Sequence, residues 1–165
     1  MKRFVWLLGC LTVLALGAAQ PAQAQFDDEL ARDWQLRLGF FVPESEQARG
    51  AVGDVWLSFG AERVMHLDER YDLSLSIEYY GRDNIYNVPV LVNLGATTHR
   101  MRYAVGAGIS LGRDVHRGRT NFAYKLMVGY ELTEGMNPIT FDVSYRGTGT
   151  SPTLNGWSFL FGKRF

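Results

Sequence analysis

Apolar and polar residues alternate with a period of two along most of the chain, in eight separate segments. Such a period is typical of β-strands that have one apolar and one polar face. The pattern is clearest over residues 71–80, where aromatic and aliphatic side chains alternate mostly with Asp, Ser and Glu. The predicted strands cover residues 34–42, 55–62, 71–80, 86–95, 101–112, 121–132, 139–146 and 157–165.

The connections between these strands alternate in length, except that the one at 81–85 is also short. The longer connections follow the first, fifth and seventh strands, at residues 44–53, 112–120 and 147–154. The shorter ones follow the second, fourth and sixth strands, at residues 66–70, 97–100 and 133–138. Short turns at one end and long loops at the other are typical of outer-membrane barrels, whose turns face the periplasm. We therefore predict an all-β domain over residues 34–165, an eight-stranded antiparallel up-and-down transmembrane β-barrel.

The polar face of the predicted strands holds Gly, Ser, Ala and charged residues, which suits the narrow interior of an eight-stranded barrel. Charges inside such a barrel must pair, because an unpaired buried charge is costly. Basic and acidic residues are nearly equal in number on this face, so we predict an ionic network that plugs the lumen. Its expected members are Arg37, Glu62, Asp72, Glu78, Arg102, Lys125, Glu131, Asp142 and Arg146.

The apolar face is continuous over all eight predicted strands and is rich in aromatic residues near the strand ends. In a membrane barrel such residues form girdles at the two interfaces. The expected girdle residues are Tyr71, Tyr79, Tyr103, Tyr130, Tyr145 and Trp157. Two residues break the alternation, because Trp56 lies on the polar face and Lys163 on the apolar face. A soluble barrel with its apolar face turned inward has the same period, so the alternation alone leaves that alternative open.

The beginning of the chain has the three-part pattern of a secretory signal. Basic residues at 2–3 precede an apolar run over 4–19, and a polar stretch ends in Ala22-Gln23-Ala24. We predict that residues 1–24 are a cleaved signal peptide and that residues 25–33 are a periplasmic lead-in. The alternative is a membrane anchor, but the apolar run is shorter than the roughly 20 residues that a spanning helix needs.

Removal of the signal would change the composition in two ways. Cys10, the single cysteine, would leave, so the mature chain would hold no thiol for a disulfide, a metal site or a nucleophile. Lys2 and Arg3 would leave as well, so that 15 basic residues stand against 17 acidic ones, a formal charge of −2. This balance argues against nucleic acid as a partner, because phosphate binding calls for a concentrated basic surface.

The second half of the chain holds two short motifs. The last strand ends Phe-Leu-Phe-Gly-Lys-Arg-Phe over residues 159–165, and the segment 87–93 precedes a glycine-rich strand at 104–108. These motifs resemble outer-membrane barrels of the OmpA/OmpX type and porin-like families. The resemblance implies a location in the bacterial outer membrane and recognition of Phe165 by the barrel assembly machinery. Lys163 departs from the apolar residue that is usual at its position. Such families are functionally diverse, so the resemblance implies no reaction.

Candidate chemistry is sparse. Barrel enzymes of this size that modify lipid A need a histidine beside a serine or an acidic residue. Only His116 is expected on the outer side, and its neighbours offer no serine nucleophile. No cofactor or metal is expected, because no His, Asp or Glu group has ligand spacing.

The loop around His116 is basic, and guanidinium pairs well with phosphate, so we predict that this loop contacts lipopolysaccharide. The residues concerned are Arg113, His116, Arg117 and Arg119.

The favoured hypothesis is a non-enzymatic barrel with an envelope-structural or surface-interaction role, surrounded by outer-membrane lipid. Three alternatives stay open: a narrow channel for small solutes, a lipid A-modifying enzyme, and a soluble periplasmic barrel that binds a ligand. A closed barrel has no free edge strand that demands a partner, so we expect a monomer.

Overall fold

The structure is a computed structural model that describes residues 34–66, 70–114, 118–135 and 137–165. The predicted signal peptide and lead-in, residues 1–33, lie outside the described residues and stay predictions. The same holds for His116 and Arg117.

Eight antiparallel strands form a closed barrel in which each strand pairs with its neighbours in the chain and β8 pairs with β1. The strands are β1 (Trp34–Pro43), β2 (Trp56–His66), β3 (Tyr71–Arg82), β4 (Ile85–Thr98), β5 (Met101–Arg113), β6 (Gly118–Glu131), β7 (Ile139–Thr148) and β8 (Gly156–Arg164). A short helix α1 (Glu46–Val52) lies between β1 and β2, and a 3-10 turn (Pro152–Leu154) lies between β7 and β8. The predicted fold class is therefore confirmed. In the described part of the chain, no helix is long and apolar enough to cross a membrane.

The two ends of the barrel differ in what connects the strands. We call the end that holds Trp34 and Arg164 the turn end, where residues 67–70, 99–100 and 132–138 connect the strands. The opposite, loop end has connections at 44–55, 83–84, 114–117 and 149–155.

The predicted long loop at 112–120 is wrong. Gly112 pairs with Arg119, and Arg113 pairs with Gly118, so the ladder leaves only residues 114–117 as the connection. Polar side chains do not end an antiparallel pair as long as the backbone groups can still bond across it. This connection is shorter than the one at 132–138, which is as long as the loop-end connection at 149–155, so the predicted asymmetry in length is clear only for the connection after β1.

The alternating pattern places the apolar side chains on the outside of the barrel. Leu38 and Ile109 are each 60% exposed, whereas Glu62 and Ser58 are fully buried. The aromatic residues near the strand ends divide between the two ends. Those near the turn end are Tyr71, Tyr103 and Tyr130, and those near the loop end are Tyr79, Tyr145 and Trp157.

An apolar cluster, here called the cap, closes the lumen at the loop end. It consists of Phe41, Ala48, Trp56, Tyr80, Ile85 and Leu154. The rings of Phe41 and Tyr80 stack with 4.3 Å between centroids, and helix α1 places Ala48 against them. The exceptional position of Trp56 has its reason here, because its ring points into the cap and its Nε1 donates to the Gly53 carbonyl at 2.9 Å. The sequence predicted neither α1 nor this cap.

Candidate functional site

The described barrel buries eight charged side chains in its lumen, four basic and four acidic. They are Arg37, Glu62, Asp72, Glu78, Arg102, Lys125, Asp142 and Arg146. Each stands on the inward face of its strand, because successive residues of a strand point to opposite sides of the sheet. Their formal charges sum to zero. We call this set the lumen network.

Glu62 on β2 is the centre of the lumen network. Its carboxylate pairs with the Arg37 guanidinium of β1 and accepts from the Ser74 hydroxyl. Arg102 Nη2 of β5 lies 2.7 Å from Oε1, and Lys125 Nζ of β6 lies 3.9 Å from Oε2. Three cations from three different strands therefore meet at one carboxylate.

Two arginines connect this centre to the strands around it. Arg37 Nε donates to Asp142 Oδ2 at 2.5 Å and its Nη2 donates to Gln35 Oε1 at 2.9 Å. Arg102 forms a fork on Asp72, with Nε 3.0 Å from Oδ2 and Nη2 2.6 Å from Oδ1. Paired contacts of this kind fix the direction of the guanidinium as well as its charge.

A second centre lies closer to the cap. Glu78 accepts from Lys125 Nζ at 2.8 Å, and its other oxygen lies 2.9 Å from Arg146 Nη2. Arg146 donates to Ser58 Oγ at 3.0 Å, and its guanidinium carbon lies 5.3 Å from the centre of the Tyr80 ring. Since Tyr80 belongs to the cap, the lumen network and the cap form one continuous filling.

Glycines make room for the acidic members of the lumen network. A Cβ on Gly95 would collide with the Asp72 carboxylate, and a Cβ on Gly129 would collide with the carboxylate of Asp142. Both glycines lie opposite their carboxylate in the strand register. Small residues on the polar face therefore accompany the large charged ones.

Glu131 lies apart from the lumen network, although the sequence placed it there. Its side chain is 27% exposed at the turn end, and it pairs with Arg164 Nη1 at 3.5 Å. It is the last residue of β6, so it reaches only the mouth of the barrel.

Sequence reasoning missed the uncharged residues that complete the lumen network. Gln35, Ser58 and Ser74 each bond to one of its charged members. Their inward positions follow from the period of two, but only the closed barrel shows which charge each one meets. Within the described residues, no group of three His, Cys, Asp or Glu side chains is placed to hold a metal ion.

The remaining candidate residues lie at the barrel ends. Arg113 is the exposed last residue of β5, and Arg119 is the second residue of β6, so the structure places both on strands rather than in a loop. Phe165 follows β8 and is 43% exposed, and its backbone N–H donates to the Trp34 carbonyl at 2.8 Å.

We expect Glu62→Gln to lower the free energy of unfolding by about 3–5 kcal/mol, because it leaves buried cations without their counter-charge. Urea unfolding of the detergent-folded protein, followed by tryptophan fluorescence, measures the change. The matched control is Glu131→Gln at the exposed mouth, where the loss should be at most about 1 kcal/mol.

Equal losses in the two variants would contradict a dominant role of Glu62. If Glu62→Gln does not fold, the double variant Arg37→Gln/Glu62→Gln decides the question. It restores a neutral lumen, and we expect it to recover the folded form.

Comparisons with known proteins support the fold. No protein-family model matches the chain, and no curated protein matches it. Among solved structures, the chain is similar to the Yersinia pestis outer membrane protein Ail, whose backbone structure was determined in a phospholipid bilayer nanodisc. The two share a TM-score of 0.56 and 12% sequence identity over 80% of this chain and 98% of that one. At this identity the likeness concerns the fold alone, and for the fold it confirms the resemblance to small outer-membrane β-barrels.

Proposed function

We propose that this chain is a non-enzymatic outer-membrane β-barrel with a blocked lumen and an envelope-structural or surface-interaction role. The observation that carries the proposal is the distribution of apolar and charged side chains, which is the reverse of that in a soluble protein. Apolar side chains cover the outside of the barrel, and the lumen network fills the inside.

The outer surface suits lipid. Its exposed apolar side chains come from all eight strands, and soluble monomers rarely expose a continuous apolar surface of this kind. The strands have 9 to 14 residues, and a tilted strand needs about 9–11 to cross a bilayer. A closed barrel also pairs the backbone groups of every strand, which lipid requires because it offers no hydrogen bonds.

The soluble alternative needs an apolar cavity for a ligand. In the structure the inward positions hold Glu62, Arg102 and their partners, whereas the apolar face points outward. We place the turn end of the barrel in the periplasm, as in other outer-membrane barrels. The aromatic residues at the two barrel ends then lie at the two membrane interfaces.

The first test is fractionation of cells that express the protein, followed by electrophoresis of the detergent extract with and without boiling. We expect recovery in the outer membrane and a mobility that changes on boiling, because a closed barrel resists detergent until it is heated. Recovery in the soluble periplasmic fraction, with one mobility at both temperatures, would overturn the proposal.

The interior argues against the alternative of a solute channel. The side chains of Lys125 and Glu78 are buried and pair across the lumen, and the buried Arg37 pairs there with Glu62. The cap covers them at the loop end, where Phe41 and Trp56 are almost inaccessible. A permeant ion would have to break ion pairs in the lumen and also pass an apolar barrier.

We therefore expect no single-channel conductance from the purified protein in planar bilayers. Removal of one neutral pair together with a ring of the cap above it, in the triple variant Trp56→Ala/Glu78→Ala/Lys125→Ala, should produce small openings because it shortens three large side chains without adding net charge. The control is Arg100→Ala/Glu134→Ala, an exposed pair at the turn end. Stable conductance of the unchanged protein would favour the channel, and silence of the lumen variant would contradict the role of the removed side chains as a plug.

The lumen also supports a non-enzymatic role. Carboxylates can act as acids or bases only where a substrate reaches them, and the four carboxylates of the lumen network are buried in ion pairs. Glu78, which lies closest to the cap, is held by Lys125 and Arg146.

Contact with lipopolysaccharide at the loop end belongs to the same proposal. The observation that favours it is Arg113, which extends the outward face of β5 with a cation at the end of the barrel. Its backbone pairs with Gly118, and Arg119 follows directly on the neighbouring strand. His116 and Arg117 would complete the basic set.

Arg113→Gln should weaken the binding of purified lipopolysaccharide by the detergent-folded protein several-fold, because one guanidinium–phosphate contact is lost. Binding is measured by co-sedimentation with lipopolysaccharide aggregates. Arg82→Gln removes a loop-end cation that contacts the Val55 carbonyl and serves as the control. An unchanged affinity of the Arg113 variant would contradict the contact.

A further inference from the structure

The outward face of the barrel carries charge at very few positions, and all of them are basic. Among the described strand residues that point outward, the charged ones are Arg63, Arg113 and Lys163. Arg113 lies at the loop end, whereas Arg63 and Lys163 both lie near the turn end. No outward-facing strand position in the described residues holds a carboxylate.

Arg63 and Lys163 stand on either side of β1, where the first and last strands meet. Arg63 of β2 is opposite Trp34, and Lys163 of β8 is opposite Leu36. Two strand spacings across and two residues along the strand separate their Cα atoms by about 12 Å. Two long, flexible side chains can therefore approach a common group outside β1.

Aromatic rings complete this surface. Trp34 and Phe165 are both exposed, and their backbones are joined by the hydrogen bond between β1 and the end of β8. The Lys163 ammonium lies 5.3 Å from the centre of the Phe165 ring, so this side chain extends toward the turn end. We call Trp34, Arg63, Lys163 and Phe165 the seam patch.

The two cations of the seam patch have no acidic partner among the described residues. Arg63 and Lys163 take part in no ion pair there, and the Lys163 ammonium lies over the Phe165 ring. Two carboxylates of the described turn end are engaged elsewhere, since Glu131 pairs with Arg164 and Glu134 pairs with Arg100. The described residues therefore leave the patch positively charged, which favours an anion bound from outside.

The apolar surroundings restrict what that anion is. Leu75 and Ile139 continue the outward face beside the two cations, so the same ligand must tolerate lipid on one side. A basic residue that faces lipid is strongly unfavourable at the middle of a bilayer and costs almost nothing at the interface. The seam patch therefore belongs at the level of the lipid headgroups, where phosphate is the abundant anion.

We propose that the seam patch binds the phosphate of an anionic phospholipid in the leaflet at the turn end. Arg63 and Lys163 hold the phosphate, and Trp34 and Phe165 lie against the upper part of the acyl chains. Guanidinium and ammonium groups both bind phosphate through charge-assisted hydrogen bonds, and indole rings are common at this depth. This inference rests on the proposed membrane location.

The test is native mass spectrometry of the detergent-folded barrel with phosphatidylglycerol or with zwitterionic phosphatidylcholine added. We expect the unchanged protein to retain phosphatidylglycerol at least several-fold more than phosphatidylcholine. Arg63→Gln/Lys163→Gln should remove this preference. The matched control, Arg49→Gln/Arg82→Gln, removes the same charge at the loop end and should keep the preference. Electrophoresis with and without boiling checks that every variant is folded.

The outcomes separate this inference from the proposed function. If all variants insert into vesicles and the seam variant keeps its preference for phosphatidylglycerol, the seam patch is wrong and the membrane location stands. An equal loss in the loop-end control shows attraction by net charge alone and also overturns the seam patch. A protein that stays soluble beside vesicles removes both proposals.

Discussion

Neutralisation of charge inside the barrel, with Glu62 at its centre, holds the eight strands together. Its cationic partners Arg37, Arg102 and Lys125 come from β1, β5 and β6. β1 lies across the cylinder from the neighbouring strands β5 and β6, so the charge of Arg37 meets the other two only after the sheet has closed. Because an unpaired buried charge is strongly destabilising, the same pairs that fill the lumen also favour the one register in which every charge has a partner.

The apolar outside of the barrel follows from the charged residues that fill its lumen. Once charged and small residues occupy the interior, the alternation of the strands sends the apolar residues to the outside. An apolar exterior is unfavourable in water and favourable in lipid. The polar groups in the lumen bond to one another, so they do not need water around the barrel. Pairing in the lumen and the proposed membrane location are therefore two consequences of one pattern.

The barrel is closed by two different kinds of contact. The lumen network holds its middle through ion pairs and hydrogen bonds, and the cap seals the loop end through aromatic packing around Phe41 and Trp56. Arg146 joins the two, because it pairs with Glu78 and lies over the Tyr80 ring. Function is therefore expected on the surfaces and ends of the barrel rather than along its axis.

The alternation along the chain was enough to predict the number of strands, their two faces and the inward position of eight of the nine expected lumen charges, because a period of two assigns each strand residue to one side of the sheet. It could not determine which charges meet, since Arg37 and Asp142 are 105 residues apart and become neighbours only across the closed barrel. The end of β5, the half-buried position of Glu131 at the mouth and the cap built on α1 also required the tertiary structure. Strand ends depend on backbone pairing across the sheet, and a cap depends on which loops lie over the same opening.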